Sequence, residues 1–211
     1  MTMMAMISPV RRAPGRANRG QAGFTLIEVL VAFFVLSIGL LGIVALLGNS
    51  KVSQHQAVQR TRAVALADEM IERIRINPTA MATYNIGLTP LGLDASRAEP
   101  APNCSSEECT PVQLAAHDLW EWEKSLLGQG ALESGQATSG LIAPTGCIVF
   151  VAAAPRARTG QLSVLIQWHG LMETDDALET GDAVCGSVLA GTDDYRRQLA
   201  VNTYVVDETE F

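Results

Sequence analysis

Residues Gly23 to Leu47 read GFTLIEVLVAFFVLSIGLLGIVALL, a glycine followed by an apolar run whose only charge is Glu28. Counted from Phe24 the run is 24 residues long, and Leu30 to Leu47 holds 18 consecutive uncharged residues. That is enough to cross about 30 Å of hydrocarbon as a helix. A charge inside such a span costs roughly 2.5–3.5 kcal/mol on insertion scales, so a chain that keeps one there has a use for it. Before the run lie Arg11, Arg12, Arg16 and Arg19 with no acidic residue. A basic flank of this kind stays cytoplasmic, which orients the N-terminus inward. An ordinary secretory signal ends in a small-residue cleavage site after its apolar core, and Gly23 instead precedes the core.

The stretch Gly23-Phe24-Thr25-Leu26-Ile27-Glu28-Val29-Leu30 resembles the processing site of type IV pilins and of type II secretion pseudopilins. The resemblance implies a cut between Gly23 and Phe24 by a prepilin peptidase/N-methyltransferase, and methylation of the new N-terminal Phe24. It implies an α+β chain with the type IV pilin fold, a long N-terminal helix packed against an antiparallel sheet of three or four strands. Residues 1–23 would then be a basic leader, 24–77 the long helix with 24–47 transmembrane, and 78–211 a periplasmic or extracellular head. The implied location is a single pass in the inner membrane, N-terminus cytoplasmic and head periplasmic, followed by incorporation into a pilus. Cleavage would free an amine at Phe24, and the Glu28 carboxylate four residues on is placed to compensate such an amine, its own or a neighbour's. In the family the neighbour's amine is favoured, which gives Glu28 an assembly role. Looser similarity to minor pilins comes from the Arg62–Arg75 segment, Asn77-Pro78 and Asp118-Leu119-Trp120-Glu121-Trp122. Such subunits join other minor pilins and the major pilin, prime fibre assembly, and affect twitching motility and adhesion.

Composition fits a head on a stalk. The 211 residues allow one anchor plus one globular domain of about 130 residues, large enough to bury a core. Loss of the four leader arginines leaves 11 basic against 22 acidic residues, a net charge near −11. No basic stripe is present, so a nucleic-acid partner is disfavoured. Cys104, Cys109, Cys147 and Cys185 all follow the apolar run, in the part oriented to an oxidising compartment, where disulfides are expected. Sequence does not fix their connectivity. Cys104 and Cys109 would close a small ring, and Cys147 and Cys185, which bracket a central hairpin, are expected to be joined.

Past Leu47 the helix is expected to continue to about Ile76, with Val64, Ala67, Met70, Ile71 and Ile74 as an apolar stripe and Asn77-Pro78 as the stop. Glu69 with Arg73 and Glu72 with Arg75 stand at helix-pair spacing. Residues 79–103 lack a sustained period and read as a connection. Thr110-Pro111-Val112-Gln113 combines a capping box with proline at the first helical position. It predicts a helix from about Pro111 to Leu127 with Ala115, Leu119, Trp122 and Leu126 on one face. Alternation then predicts strands around 145–152, 162–168 and 199–205, with a weaker one near Leu141.

Chemistry is sparse. His55, His117 and His169 are scattered, no G-x-S-x-G, Walker loop or H-E-x-x-H occurs, and neither an enzyme nor a cofactor is expected. The Cys-x4-Cys pair with His117 is a poor zinc pattern, and no metal is expected there. Between Gly170 and Asp194 lie seven acidic residues and no basic one. Asp175, Asp176, Glu179 and Asp182 could converge on calcium, although acidic loops are usually just solvated. Two other functions compete with a minor pilin. A minor pseudopilin of type II secretion shares the processing site and stalk, and neighbouring genes would separate the two. A membrane-anchored periplasmic binding module would keep its leader or stay monomeric.

Overall fold

The computed structural model describes residues 23–92, 97–129, 132–133, 136–137, 140–173, 184–186 and 193–211. Helix α1 runs from Leu26 to Ile76. It ends there because a proline disfavours helical geometry at the residue before it, here Asn77 before Pro78. The chain divides into two compact units, Met1–Leu47 and Gly48–Phe211. In the first, every described residue is exposed, and the helix is apolar on all sides. By length and composition this is a helix able to cross a membrane.

In the second unit α1 buries Gln59, Ala63, Ala67, Met70, Ile71 and Ile74. The stripe therefore lies one residue away from the expected line at its start. Ala63 is fully buried while Val64 is 37% exposed, and the alanines leave room for close approach. Trp122 Nε1 donates to the Leu66 carbonyl at 2.8 Å.

A 3₁₀ turn at Pro78–Ala80 and the short α2 (Met81–Tyr84) lead to β1 (Gly87–Leu91). Helix α3 (Pro111–Leu126) follows. Two-residue strands β2 (Leu132–Glu133) and β3 (Gln136–Ala137) pair with each other. Then come β4 (Ile142–Ala152), β5 (Gly160–His169) and β6 (Arg196–Val205). The main sheet is antiparallel throughout, in the order β1-β4-β5-β6. The protein is thus α+β, with a long N-terminal helix packed on a four-stranded antiparallel sheet.

The fourth strand is not where alternation placed it. It is β1, inside the segment read as a connection, and the residues around Leu141 lead directly into β4. Gly87 at φ 64° and Pro90 hide β1, since both suppress the alternating pattern. An edge strand tolerates proline because one row of its N–H groups needs no ladder partner.

Helix α3 starts with the capping box. Gln113 N donates to Thr110 Oγ1 at 3.4 Å, and Thr110 N donates to Gln113 Oε1 at 2.9 Å. Its Ala115, Leu119, Trp122 and Leu126 enter the core with Ile148, Leu162, Val164 and Ile166 of the sheet. Gly146 of β4 is required by this packing, because a Cβ there would lie 2.4 Å from Trp122 Cη2. On a separate small cluster, the Cys147–Cys185 disulfide packs with Leu165 and Val149. Cys104 and Cys109 form the other disulfide.

Candidate functional site

Within the first unit the start of α1 is built around Thr25. Its carbonyl accepts from Glu28 N at 3.1 Å and its Oγ1 from the same N–H at 3.4 Å. Thr25 is therefore the cap and Glu28 the third helical residue, where a carboxylate meets the positive end of the helix dipole. Thr25-Leu26-Ile27-Glu28 matches the S/T-x-x-E capping signature, a signal in the sequence that the reading above did not use.

Phe24, Glu28, Val29, Ala32, Phe33 and Leu36 line a shallow groove of about 420 Å³ along one side of the helix. Phe24 is 82% exposed, and among the described residues Glu28 has no ion-pair partner. Gly23 has nothing within 4 Å of where a Cβ would stand, and the same holds for Gly39, Gly42 and Gly48. The fold of this chain therefore imposes no glycine at position 23. The groove offers a carboxylate acceptor among hydrocarbon, which suits pairing with a cation carried by another molecule and offers no acid–base pair for catalysis.

The second unit holds its charges differently. Arg73 Nη1 donates to Asp118 Oδ1 at 2.8 Å and to Glu121 Oε2 at 2.7 Å, and Nη2 donates to Glu69 Oε1 at 2.9 Å. Burial by itself would lower the Arg73 pKa, but the hydrogen bonds to Glu121, Asp118 and Glu69 raise it overall. Tyr84 Oη donates to Asp118 Oδ2 at 2.5 Å, and burial together with this bond pushes the phenol pKa up. Asn77 Nδ2 donates to the Pro111 carbonyl at 2.7 Å, so the end of α1 and the start of α3 are tied together. These contacts fasten α3 to α1.

The histidines stay apart. His55 is exposed on α1, His117 is buried with Nδ1 3.9 Å from Glu121, and His169 stacks on Tyr195 at 5.1 Å. Among the described residues no group of three metal-ligating side chains converges. Asp175, Asp176, Glu179 and Asp182 lie outside the described residues, as do the leader arginines Arg11, Arg12, Arg16 and Arg19.

The family model described as Type IV pilin Tt1218 (Tt1218-like) matches residues 45–120. The prokaryotic N-terminal methylation motif matches residues 18–44, which contain Gly23, Phe24 and Glu28. No curated protein and no solved structure gives a significant match. Pilins of the matched family are structural, not enzymatic. An exposed apolar helix start with a methylation motif, joined to a head-bearing segment that matches a pilin family, supports placing this chain in the type IV pilin superfamily.

Proposed function

We propose that the chain is a minor pilin of the type IV pilus, most like the type IV pilus modification protein PilV. A prepilin peptidase/N-methyltransferase cuts between Gly23 and Phe24, removes residues 1–23, and methylates Phe24. The processed chain waits in the inner membrane through residues 24–47, with the head in the periplasm. It then joins other minor pilins and the major pilin, priming assembly and supporting piliation, twitching motility or adhesion.

The observation that carries this reading is Glu28. Among the described residues it stands without an ion-pair partner, in an exposed apolar stretch of helix that begins just after a glycine with nothing within 4 Å of a Cβ. A carboxylate left alone in hydrocarbon is costly, and pairing with an amine at the same depth removes that cost. The amine freed at Phe24 of this or an adjacent subunit supplies such a partner, so Glu28 draws the subunit from lipid into the helical bundle. Local PilV-like features are the Arg62–Arg75 segment and Asp118–Trp122, which here form one face-to-face contact through Arg73 and Asp118.

The test has two arms. Mass spectrometry of sheared surface fibres from the native host should find a peptide beginning at N-methylated Phe24. Glu28→Leu should be cleaved as usual and yet be lost from fibres by about tenfold or more, the equivalent of one unpaired charge. A chain that retains its arginine-rich leader beside an active prepilin peptidase would end the proposal, and so would normal incorporation of Glu28→Leu.

A further inference from the structure

In the second unit, the buried stripe of α1 opens with a polar residue. Gln59 is fully buried, and neither its Oε1 nor its Nε2 has a hydrogen-bond partner. Leaving a buried amide unpaired is unfavourable, whereas a leucine of similar length would carry no such penalty. Fold stability therefore does not explain the glutamine. It forms the floor of a recess of about 380 Å³ whose walls include Ser53, Gln56 and Arg60 of α1, Trp168 of β5 and Arg197 of β6. Ser53, Gln56 and Arg60 are three and four residues apart and so share one side of the helix.

Two cations face this recess. Arg60 is exposed and has no ion-pair partner among the described residues. The Arg197 guanidinium donates to the carbonyls of Met172 at 2.6 Å, Arg196 at 3.1 Å and Asp194 at 3.3 Å. Those three neutral acceptors fix its orientation, and among the described residues it has no ion-pair partner. An unpaired amide and two guanidinium-bearing residues lining one recess are a donor set for a carboxylate, since ionised acceptors form the shortest and strongest hydrogen bonds with such groups. The Trp168 ring adds an apolar wall for the methylene stem of an acidic side chain.

We infer that this recess docks a carboxylate side chain from a neighbouring pilin-type subunit, with Gln59, Arg60 and Arg197 as its donors. The inference rests on the minor-pilin reading, which supplies the neighbour. An anionic membrane surface would satisfy the same donors, but the processed chain, with 11 basic against 22 acidic residues, shows that subunits of this kind carry carboxylates in excess, so the occupant is taken to be a protein side chain.

Zero-length coupling tests it. Arg60→Lys places a primary amine at the recess, and a carbodiimide joins that amine to a carboxylate in contact with it, forming an amide with loss of water. Applied to sheared fibres from a host expressing the full-length variant, the reagent should link position 60 to an Asp or Glu of a different chain, and Arg197→Ala should weaken the link severalfold. A variant present in fibres but linked at position 60 only to its own acidic residues, or to nothing, overturns the site and leaves the pilin reading intact. A variant and wild type both absent from fibres overturn that reading and the site with it. Gln59→Leu provides a second readout. The purified full chain in detergent should melt several degrees higher, while incorporation falls by about tenfold, the signature of a residue kept at the expense of stability. Higher melting with unchanged incorporation would make Gln59 a structural amide only and overturn its part in the site.

Discussion

Gly23 and Gly146 show how differently the two units of this chain constrain their residues. A Cβ at Gly146 would strike Trp122, so the core of the second unit dictates that glycine. A Cβ at Gly23 would meet nothing within 4 Å. The apolar side chains divide in the same way. Ala63, Ala67, Met70 and Ile74 are fully buried, while Phe24, Ile27, Leu30 and Phe34 are each at least 60% exposed. In the second unit, sequence is explained by contacts inside the chain. In the first, the exposed hydrocarbon and the glycine meet no contact inside the described residues, and the proposed minor-pilin reading assigns them to a lipid phase, a processing enzyme and other subunits.

If that contrast is right, the largest effect on stability comes from the packed unit. Trp122→Ala removes a fully buried ring together with its hydrogen bond to Leu66, and should destabilise the head by about 3–5 kcal/mol. All three tryptophans lie in the second unit, so the fluorescence of Trp120 and Trp168 reports the loss in the full chain in detergent. Cleavage at Gly23 should proceed normally in the same variant. A variant whose cleavage fails along with its head would break the division between the two units.

The disulfides sharpen the comparison within the head. Cys147 and Cys185 close a separation of 38 residues, Cys104 and Cys109 one of 5. On chain-entropy arguments the first restricts the unfolded chain by about 4 kcal/mol and the second by about 2. Replacing Cys147 and Cys185 by serine should therefore lower the urea midpoint of the head roughly twice as far as replacing Cys104 and Cys109. Equal shifts would mean that the small ring holds more structure than its own loop.

Much of this arrangement was legible in the chain. The helix of α1, its stop at Asn77-Pro78 and the capped α3 carry local signals that tertiary packing had no reason to override. Strand β6 shows alternation over residues 200–204, whereas β4 and β5 each bury five consecutive residues because both of their faces are covered, one by the main core and one by the Cys147–Cys185 cluster. Strand β1 stayed hidden because an edge strand with a positive-φ glycine and a proline has no period to read. The one-residue shift from Val64 to Ala63 reflects which helix side meets Trp122, information that lies 56 residues away in sequence. At the helix start, both the motif Gly23-Phe24 with Glu28 and the Thr25-x-x-Glu28 capping signature stand in the sequence, and the geometry adds the bonds from Glu28 N to Thr25. The Gln59 recess was not legible at all, since a glutamine on a helix reads as surface until the fold brings Trp168 and Arg197 to the same recess.

The smallest effect expected is an acid-sensitive one at the C-terminal end of the sheet. Asp207 Oδ1 accepts from Thr209 N at 2.9 Å and Thr209 Oγ1 at 2.6 Å, and its Oδ2 accepts from Arg158 Nε. The Thr209 hydroxyl lowers the Asp207 pKa most, burial opposes it, and the Thr209 N–H and Arg158 bonds complete a net depression below the ordinary 3.8. A depressed carboxylate stabilises the fold above its unfolded pKa and loses that contribution as pH falls through the folded value. The head should thus be insensitive to this group at pH 5 and above, and should lose stability as pH drops below about 4. Asp207→Asn should be less stable than wild type at pH 6 and should converge on it near pH 2. Tryptophan fluorescence against urea at these pH values measures the convergence, while hydrogen exchange read by mass spectrometry on peptides within residues 26–47 follows the helix of the first unit. The apolar helix contributes no member of the Asp207, Thr209 and Arg158 network, so its amide protection should survive acid that loosens the head. Parallel loss of both signals would show that the two units respond to acid as one and would remove the basis for treating the exposed helix as a separate element.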